Sequence, residues 1–137
     1  MKVLVNGARV DMVVWNTFQN DARVKNEAET LAGAGYRVSV HGLHAPGYTE
    51  SRELLSSGVE VVRHGQRQGL RLLAPLKHTA RRNSWELITL VASRLSTHYL
   101  MLMTLVRRRP DVIHAHDVNV LPTAWLAARL CGAELVY

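Results

Sequence analysis

Arg9-Val10-Asp11-Met12-Val13-Val14-Trp15, then Asn16-Thr17-Phe18-Gln19-Asn20-Asp21, then Val24, Ala28, Leu31 and Ala32 at helical spacing: this stretch decides the fold. The first seven residues form a short, valine-rich run that reads as a strand. The next segment is polar and closes on Asp21, a residue type that caps helix N-termini by accepting backbone N–H bonds. Gly33 and Gly35 end the helix, and Tyr36-Arg37-Val38-Ser39-Val40 reads as a second strand. Strand, helix and strand within about thirty residues make a βαβ unit, which predicts an α/β domain with a parallel sheet.

The rest of the chain repeats the alternation. Pro46 and Gly47 mark a loop, Glu50 to Leu55 reads as a short helix, and Val59-Glu60-Val61-Val62 reads as a third strand. After Gly65 and Gly69 the chain turns helical. From about Ser84 to Arg108 the residues Trp85, Ile88, Val91, Ala92, Leu95, Tyr99, Leu102 and Val106 recur three or four apart, predicting a long amphipathic helix with this stripe buried. Arg107-Arg108-Arg109 suits the negative end of its dipole and Pro110 stops it. Glu86, Arg94 and His98 interrupt the apolar run too early for a membrane span. Val112-Ile113-His114-Ala115 is a fourth strand, Val118 to Leu130 a helix ended by Gly132, and Glu134 to Tyr137 a fifth strand. A parallel strand needs a covering helix, so the chain is expected to continue past Tyr137. Residues 1–8 read as a leader, extended or disordered, with a hairpin at Asn6-Gly7 as the competing form, and 9–137 as one doubly wound domain in strand order 3-2-1-4-5.

With 47% apolar and 20% charged residues over 137 positions, the composition is that of one folded globular domain. The single cysteine, Cys131, excludes a disulfide framework or a cysteine metal site and reads as a buried thiol. Asn6, Arg9 and Asp11 break the N-terminus too early for a signal peptide, which predicts a cytoplasmic protein. The net charge of +6 is concentrated. Between Arg63 and Arg109 lie ten Lys or Arg against one acid, Glu86, a basic surface able to meet nucleic acid, anionic lipid or a phosphorylated substrate, or simply water.

In an open doubly wound sheet, ligands sit beyond the carboxyl ends of the strands where strand order reverses. Here that point lies between strands one and four, where two loops meet, Asn16 to Asp21 and His116 to Asn119. The first loop ends at a helix N-terminus, which favours an anion, and carries uncharged hydrogen-bonding side chains. It lacks a glycine-rich fingerprint, so an ordinary dinucleotide fold is unsupported. Arg23 and Lys25, one turn in, either bind an anion or are exposed helix residues. In the second, His114 and His116 are two apart and share a face. His114 reads as a core residue and His116, at the mouth, as a group able to hydrogen-bond a hydroxyl or move a proton. A metal site would need a third ligand, with His41 and His44 as candidates. Asp117 either binds a hydroxyl or caps the next helix.

Two segments carry a family resemblance: Asn20-Asp21-Ala22-Arg23-Val24-Lys25-Asn26-Glu27-Ala28 with Leu31 to Val38, and Pro110-Asp111-Val112-Ile113-His114-Ala115-His116-Asp117 with Ala127 to Ala133. They resemble the N-terminal domain of the family-4 glycosyltransferases, which have the two-domain GT-B fold. The resemblance implies a Rossmann-like half with helices on both sheet faces. It implies an acceptor-binding role here and a nucleotide-sugar donor bound as substrate by a C-terminal domain. It further implies transfer with retention, no cofactor or metal, and no activity for this half alone. His116 matches the histidine that family members place against the transferred sugar and is the catalytic candidate. Asn16, Thr17, Phe18, Asn20, Asp21, Arg23, Asp117 and Asn119 are the substrate-binding candidates. Many members carry a glycine pair in the first loop, where Trp15-Asn16-Thr17-Phe18 stands here. The expected partners are the C-terminal domain and a sugar or lipid-linked acceptor. A peripheral contact with the inner face of the membrane through the basic 63–82 stretch competes with a plain helix whose basic face is solvated. The alternatives are a nucleotide-sugar epimerase half-domain and a stand-alone basic module for anionic lipid or nucleic acid. Few aromatics are free to stack on bases, Trp85 and Tyr99 being expected inside the helix stripe, which makes nucleic acid the weaker choice.

Overall fold

The computed structural model describes residues 7–65 and 82–137. Strand β1 (Arg9–Val13) is central, pairing in parallel with β2 (Arg37–His44) on one side and β5 (Val112–Ala115) on the other. Beyond β2 lies β4 (Glu60–Gly65), and beyond β5 lies β6 (Glu134–Val136), both parallel. These five strands have the expected order. At the outer edge β3 (Arg52–Leu54) adds an antiparallel strand, giving β3-β4-β2-β1-β5-β6.

The β3 strand corrects the short helix expected over Glu50 to Leu55. Leu55 and Val59 close a hairpin in which Gly58 takes φ +83°, a conformation glycine adopts without a Cβ clash, and the unpaired edge of β4 is the nearby partner. Tertiary pairing here overrides local propensity. All three β3 residues are exposed, and the charges of Arg52 and Glu53 guard the sheet edge.

Helix α1 (Ala22–Gly33) begins where Asp21 Oδ1 accepts the Val24 N–H at 3.2 Å, and ends at Gly35, φ +90°, with Tyr36 N donating to the Leu31 carbonyl. Val24 and Ala28 press onto Val10, Met12, Val14, Val38 and Val40 in the first core cluster. Helix α2 (Arg82–Arg108) and helix α3 (Leu121–Cys131) cover the opposite face, where Met101, Leu105, Ala124, Ala127 and Ala128 meet Val13, Ile113 and Ala115. Gly132 ends α3 at φ +73°. Cys131 is half-buried against this cluster and not enclosed. The predicted leader falls largely on residues 1–6, outside the described residues. Gly7 donates to the Gly35 carbonyl at 3.0 Å and so runs beside the entry to β2.

The orientation of α2 corrects the predicted stripe. Its buried line is Ser93, Thr97, Met101 and Leu105, and of the predicted stripe Leu102 and Val106 pack against the second core cluster, whereas Ile88, Val91, Leu95 and Tyr99 are exposed, Leu95 at 64% and Tyr99 at 61%. An amphipathic pattern says that one face is apolar, not that the domain supplies its cover. Small Ser93 and Thr97 face inward, Thr97 satisfying its hydroxyl on the Ser93 carbonyl at 3.0 Å. No helix among the described residues is long and apolar enough to cross a membrane.

Beneath α2, one polar network ties four elements together. Asp11, 1% exposed in the middle of β1, accepts from His41 Nε2 and Arg108 Nε on the same oxygen, each at 3.1 Å. Arg108 goes on to Glu60 at 2.8 Å and to the Ser39 hydroxyl. His41 Nδ1 meets His64 Nε2 at 3.3 Å. With both rings neutral, one assignment satisfies both bonds: His64 donates to His41, and His41 donates to Asp11. Burial first, and the neighbouring His41 second, hold the His64 pKa down to about 4.

Candidate functional site

The two loops expected to meet do so. His116 N donates to the Val13 carbonyl at 3.0 Å, extending the β1–β5 ladder by one rung. Asp117 Oδ2 accepts the Trp15 N–H at 2.6 Å, a short charge-assisted bond that clamps the second loop onto the first. The capping role foreseen for Asp117 is not the one seen. Helix α3 starts three residues later at Val120, with no side-chain cap.

The first loop is rigidly built. Asn16 is spent internally: its Oδ1 accepts from Phe18 N at 2.7 Å and its Nδ2 donates to Asp21 Oδ2 at 2.9 Å. Its carbonyl accepts from Leu43 N at 2.8 Å and rests directly on Gly42. Phe18 has φ +64°, the left-handed conformation natural to glycine, and is held there by burial of its ring at 4% exposure in the first core cluster. Against its own burial, the bonds from Asn16 and from Val24 N keep the Asp21 carboxyl below the usual carboxylate range, so it stays ionised at the helix start. Asn16, Thr17, Phe18, Asn20 and Asp21 enclose a cleft of about 260 Å³. Asn20, Arg23 and Asn119 are exposed.

A Cβ at Gly42 would sit 2.8 Å from the Asn16 carbonyl oxygen, backbone against backbone. Gly42→Ala is therefore expected to cost about 1–3 kcal/mol and to push the whole loop outward. Urea denaturation measures the loss, and a shift in the Trp15 fluorescence reports the displaced loop. An alanine variant as stable as the parent would mean that the loop does not lean on Gly42.

His114 and His116 share a face as expected, their ring centroids 4.0 Å apart, but they are joined by a residue the sequence reading passed over. Glu27 of α1 places Oε1 2.9 Å from His114 Nδ1. His114 is thus a half-buried, paired residue and not a core one. Glu27 lies one turn beyond Val24 and next to Ala28, and that sheet-facing position is the signal that could have found it. His41 and His44, the third-ligand candidates, are engaged elsewhere, His41 in the Asp11 network and His44 Nδ1 with the Thr49 hydroxyl at 3.1 Å. His116 Nε2 is sealed from solvent and has no hydrogen-bond partner among the described residues. Burial, and then the neighbouring His114, press the His116 pKa below the ordinary histidine value, so a neutral imidazole faces the loop junction.

A larger cavity of about 430 Å³ opens at the carboxyl ends of β2 and β4, lined by His44, Pro46, Ser51, Arg63, His64 and Leu100 among others. Arg63 is not part of an exposed basic face. It is 6% exposed and bonds Thr17 O at 2.9 Å, Glu50 O at 3.0 Å and Glu53 Oε2 at 2.9 Å, joining this cavity's wall to the first loop. Trp15 stacks on His98 of α2 at 4.4 Å, and His98 Nδ1 meets the Thr123 hydroxyl at 2.8 Å, fixing the other flank. The basic stretch 66–81 lies outside the described residues.

Compared with known families, residues 21–137 match the family model described as a glycosyl transferase 4-like domain, a span that includes α1, the sheet beyond β1 and both halves of the His114–His116 motif. No curated protein matches the chain.

Proposed function

The chain belongs to the glycosyl transferase 4-like family, and from that premise we propose that it is the acceptor-binding half of a retaining, two-domain glycosyltransferase. The observation that carries the reading is the junction of the two loops at the sheet's switch point, with the unpartnered His116 Nε2 at its centre. In this reading the imidazole hydrogen-bonds a hydroxyl of the sugar being transferred. Asn20, Asp21, Arg23 and Asn119 border the ligand, and the helix α1 N-terminus favours whatever negative charge the ligand carries. The larger cavity beside Arg63 receives the acceptor. A nucleotide-sugar donor is a substrate bound by a partner C-terminal domain; no cofactor or metal takes part, and this half alone does not turn over. Joining the chain to that domain should give sugar transfer from a nucleotide sugar with the anomeric configuration kept, read by NMR of the product. Isomerised donor without acceptor would point to an epimerase instead, and inversion would sink the retaining assignment.

The uncovered face of α2 supports a second element of the proposal, a peripheral seat on the anionic inner face of a membrane. Leu87, Ile88, Leu90, Val91 and Leu95 are exposed, and the sequence just before the helix is rich in Lys and Arg, the combination of apolar and cationic groups that lies in a lipid interface. The chain should co-sediment with phosphatidylglycerol vesicles and not with phosphatidylcholine vesicles, less so as salt rises. Leu95→Glu, which removes one inserted side chain, should weaken binding about tenfold. Binding unchanged by that substitution, or self-association of the chain in place of vesicle binding, would refute the membrane seat.

A further inference from the structure

We propose that Glu27, His114 and His116 form a binding site for a single Zn²⁺-class divalent transition-metal ion. Each offers a ligand atom within 4.8 Å of the others, and they come from two elements, α1 and the end of β5, that the core holds in register. Two imidazoles and one carboxylate are a ligand set that zinc favours, leaving a fourth position open. At zinc bond lengths of about 2.0–2.2 Å, ligand atoms of a tetrahedral site lie about 3.4 Å apart. The His114 Nδ1 to Glu27 Oε1 separation of 2.9 Å and the outer limit of 4.8 Å bracket that value, so small side-chain rotations close the site.

Two further observations separate this cluster from an ordinary salt bridge. His116 Nε2, the nitrogen without a partner, is buried, and a buried polar atom left unpaired costs free energy that a ligand would recover. The rings of His114 and His116 are tilted at 33° with centroids 4.0 Å apart, and each brings one nitrogen within 4.8 Å of the other and of the Glu27 carboxylate. The carboxylate also supplies the negative charge that an incoming cation needs. Hard ions such as Mg²⁺ and Ca²⁺ prefer all-oxygen shells and should not compete. An ion held here would engage the same imidazole assigned to the sugar, so metal and substrate would exclude one another. That consequence rests on the transferase reading, whereas metal binding by the chain itself does not.

The test uses the 137-residue chain with no sugar donor present. Titration with Zn²⁺ against a chromophoric chelator should show one tight equivalent, and Co²⁺ should give the visible absorption of a tetrahedral site. Glu27→Gln, which keeps the shape of the side chain, and His114→Ala should each weaken Zn²⁺ binding by more than about tenfold, since loss of an outer-shell partner alone costs that much. His44→Ala and His98→Ala should leave it unchanged, and far-UV circular dichroism confirms that each variant is folded. Absence of binding overturns the proposal, as does binding that survives Glu27→Gln and His114→Ala together, which would place the ion elsewhere. If Zn²⁺ binds as described yet leaves turnover of the joined two-domain enzyme untouched, the site stands and the role given to His116 in transfer falls.

Discussion

Replacing Asp11 by alanine should lower the stability of the chain by about 3 kcal/mol, the low end of the cost of removing one partner from a buried ion pair. The carboxylate is 1% exposed and holds two donors at once, His41 Nε2 and Arg108 Nε. Without it, His41 keeps a buried N–H with no acceptor, and Arg108 faces the sheet with only Glu60 and Ser39 to hold it. Arg108 softens the loss, because its side chain is 28% exposed and can gain water. For a domain of this size the expected fall in melting temperature is roughly 10 °C. Asp11→Asn should lose less, since the amide oxygen still accepts one of the two bonds. A thermal melt of Asp11→Ala that matches the parent would show that the network is dispensable, and that apolar packing of β1 alone sets stability.

That network shows where sequence reading stops. The βαβ unit was legible because its signals are local: Asp21 caps α1, Gly33 and Gly35 end it, and valines mark the strands on either side. Strand order was legible from the handedness and crossover rules that the alternation brings into force. Asp11, Ser39, Glu60 and Arg108, by contrast, lie on four separate elements, and no spacing along the chain links them. The clue was Asp11 itself, a charge in the middle of a valine strand, which must find a partner when buried. Glu27 was hidden for a similar reason, since its partner His114 is 87 positions away on another element. The α2 stripe was legible as a pattern and misplaced as a surface. Which side of a helix meets the sheet depends on the small residues Ser93 and Thr97, whose burial apolar counting does not register. At the site, the meeting of the two loops followed from topology, while the part played by Asp117 needed coordinates, because it runs through a backbone N–H.

On the proposed transferase reading, His116→Ala, made in the chain joined to a donor-binding C-terminal domain, should reduce kcat about 100-fold, or roughly 2.7 kcal/mol of transition-state stabilisation, the usual effect of deleting one well-placed hydrogen-bonding group. Folding should be little affected, because Nε2 has no partner to lose and the backbone N–H to Val13 remains. Asp117→Ala is the informative comparison. Asp117 Oδ2 accepts the Trp15 N–H, which makes it a positioning residue whose loss frees the second loop from the first. That variant should lose stability, by about 1.5–3 kcal/mol for a charge-assisted bond, and should lose activity through both KM and kcat as the loops separate. The split between the two variants carries the argument. A fall in kcat with unchanged melting temperature for His116→Ala places the imidazole at the reacting sugar. A joint loss of stability and activity from both variants would mean that the pair only holds the loops together, and unchanged turnover in His116→Ala would remove it from the reaction altogether.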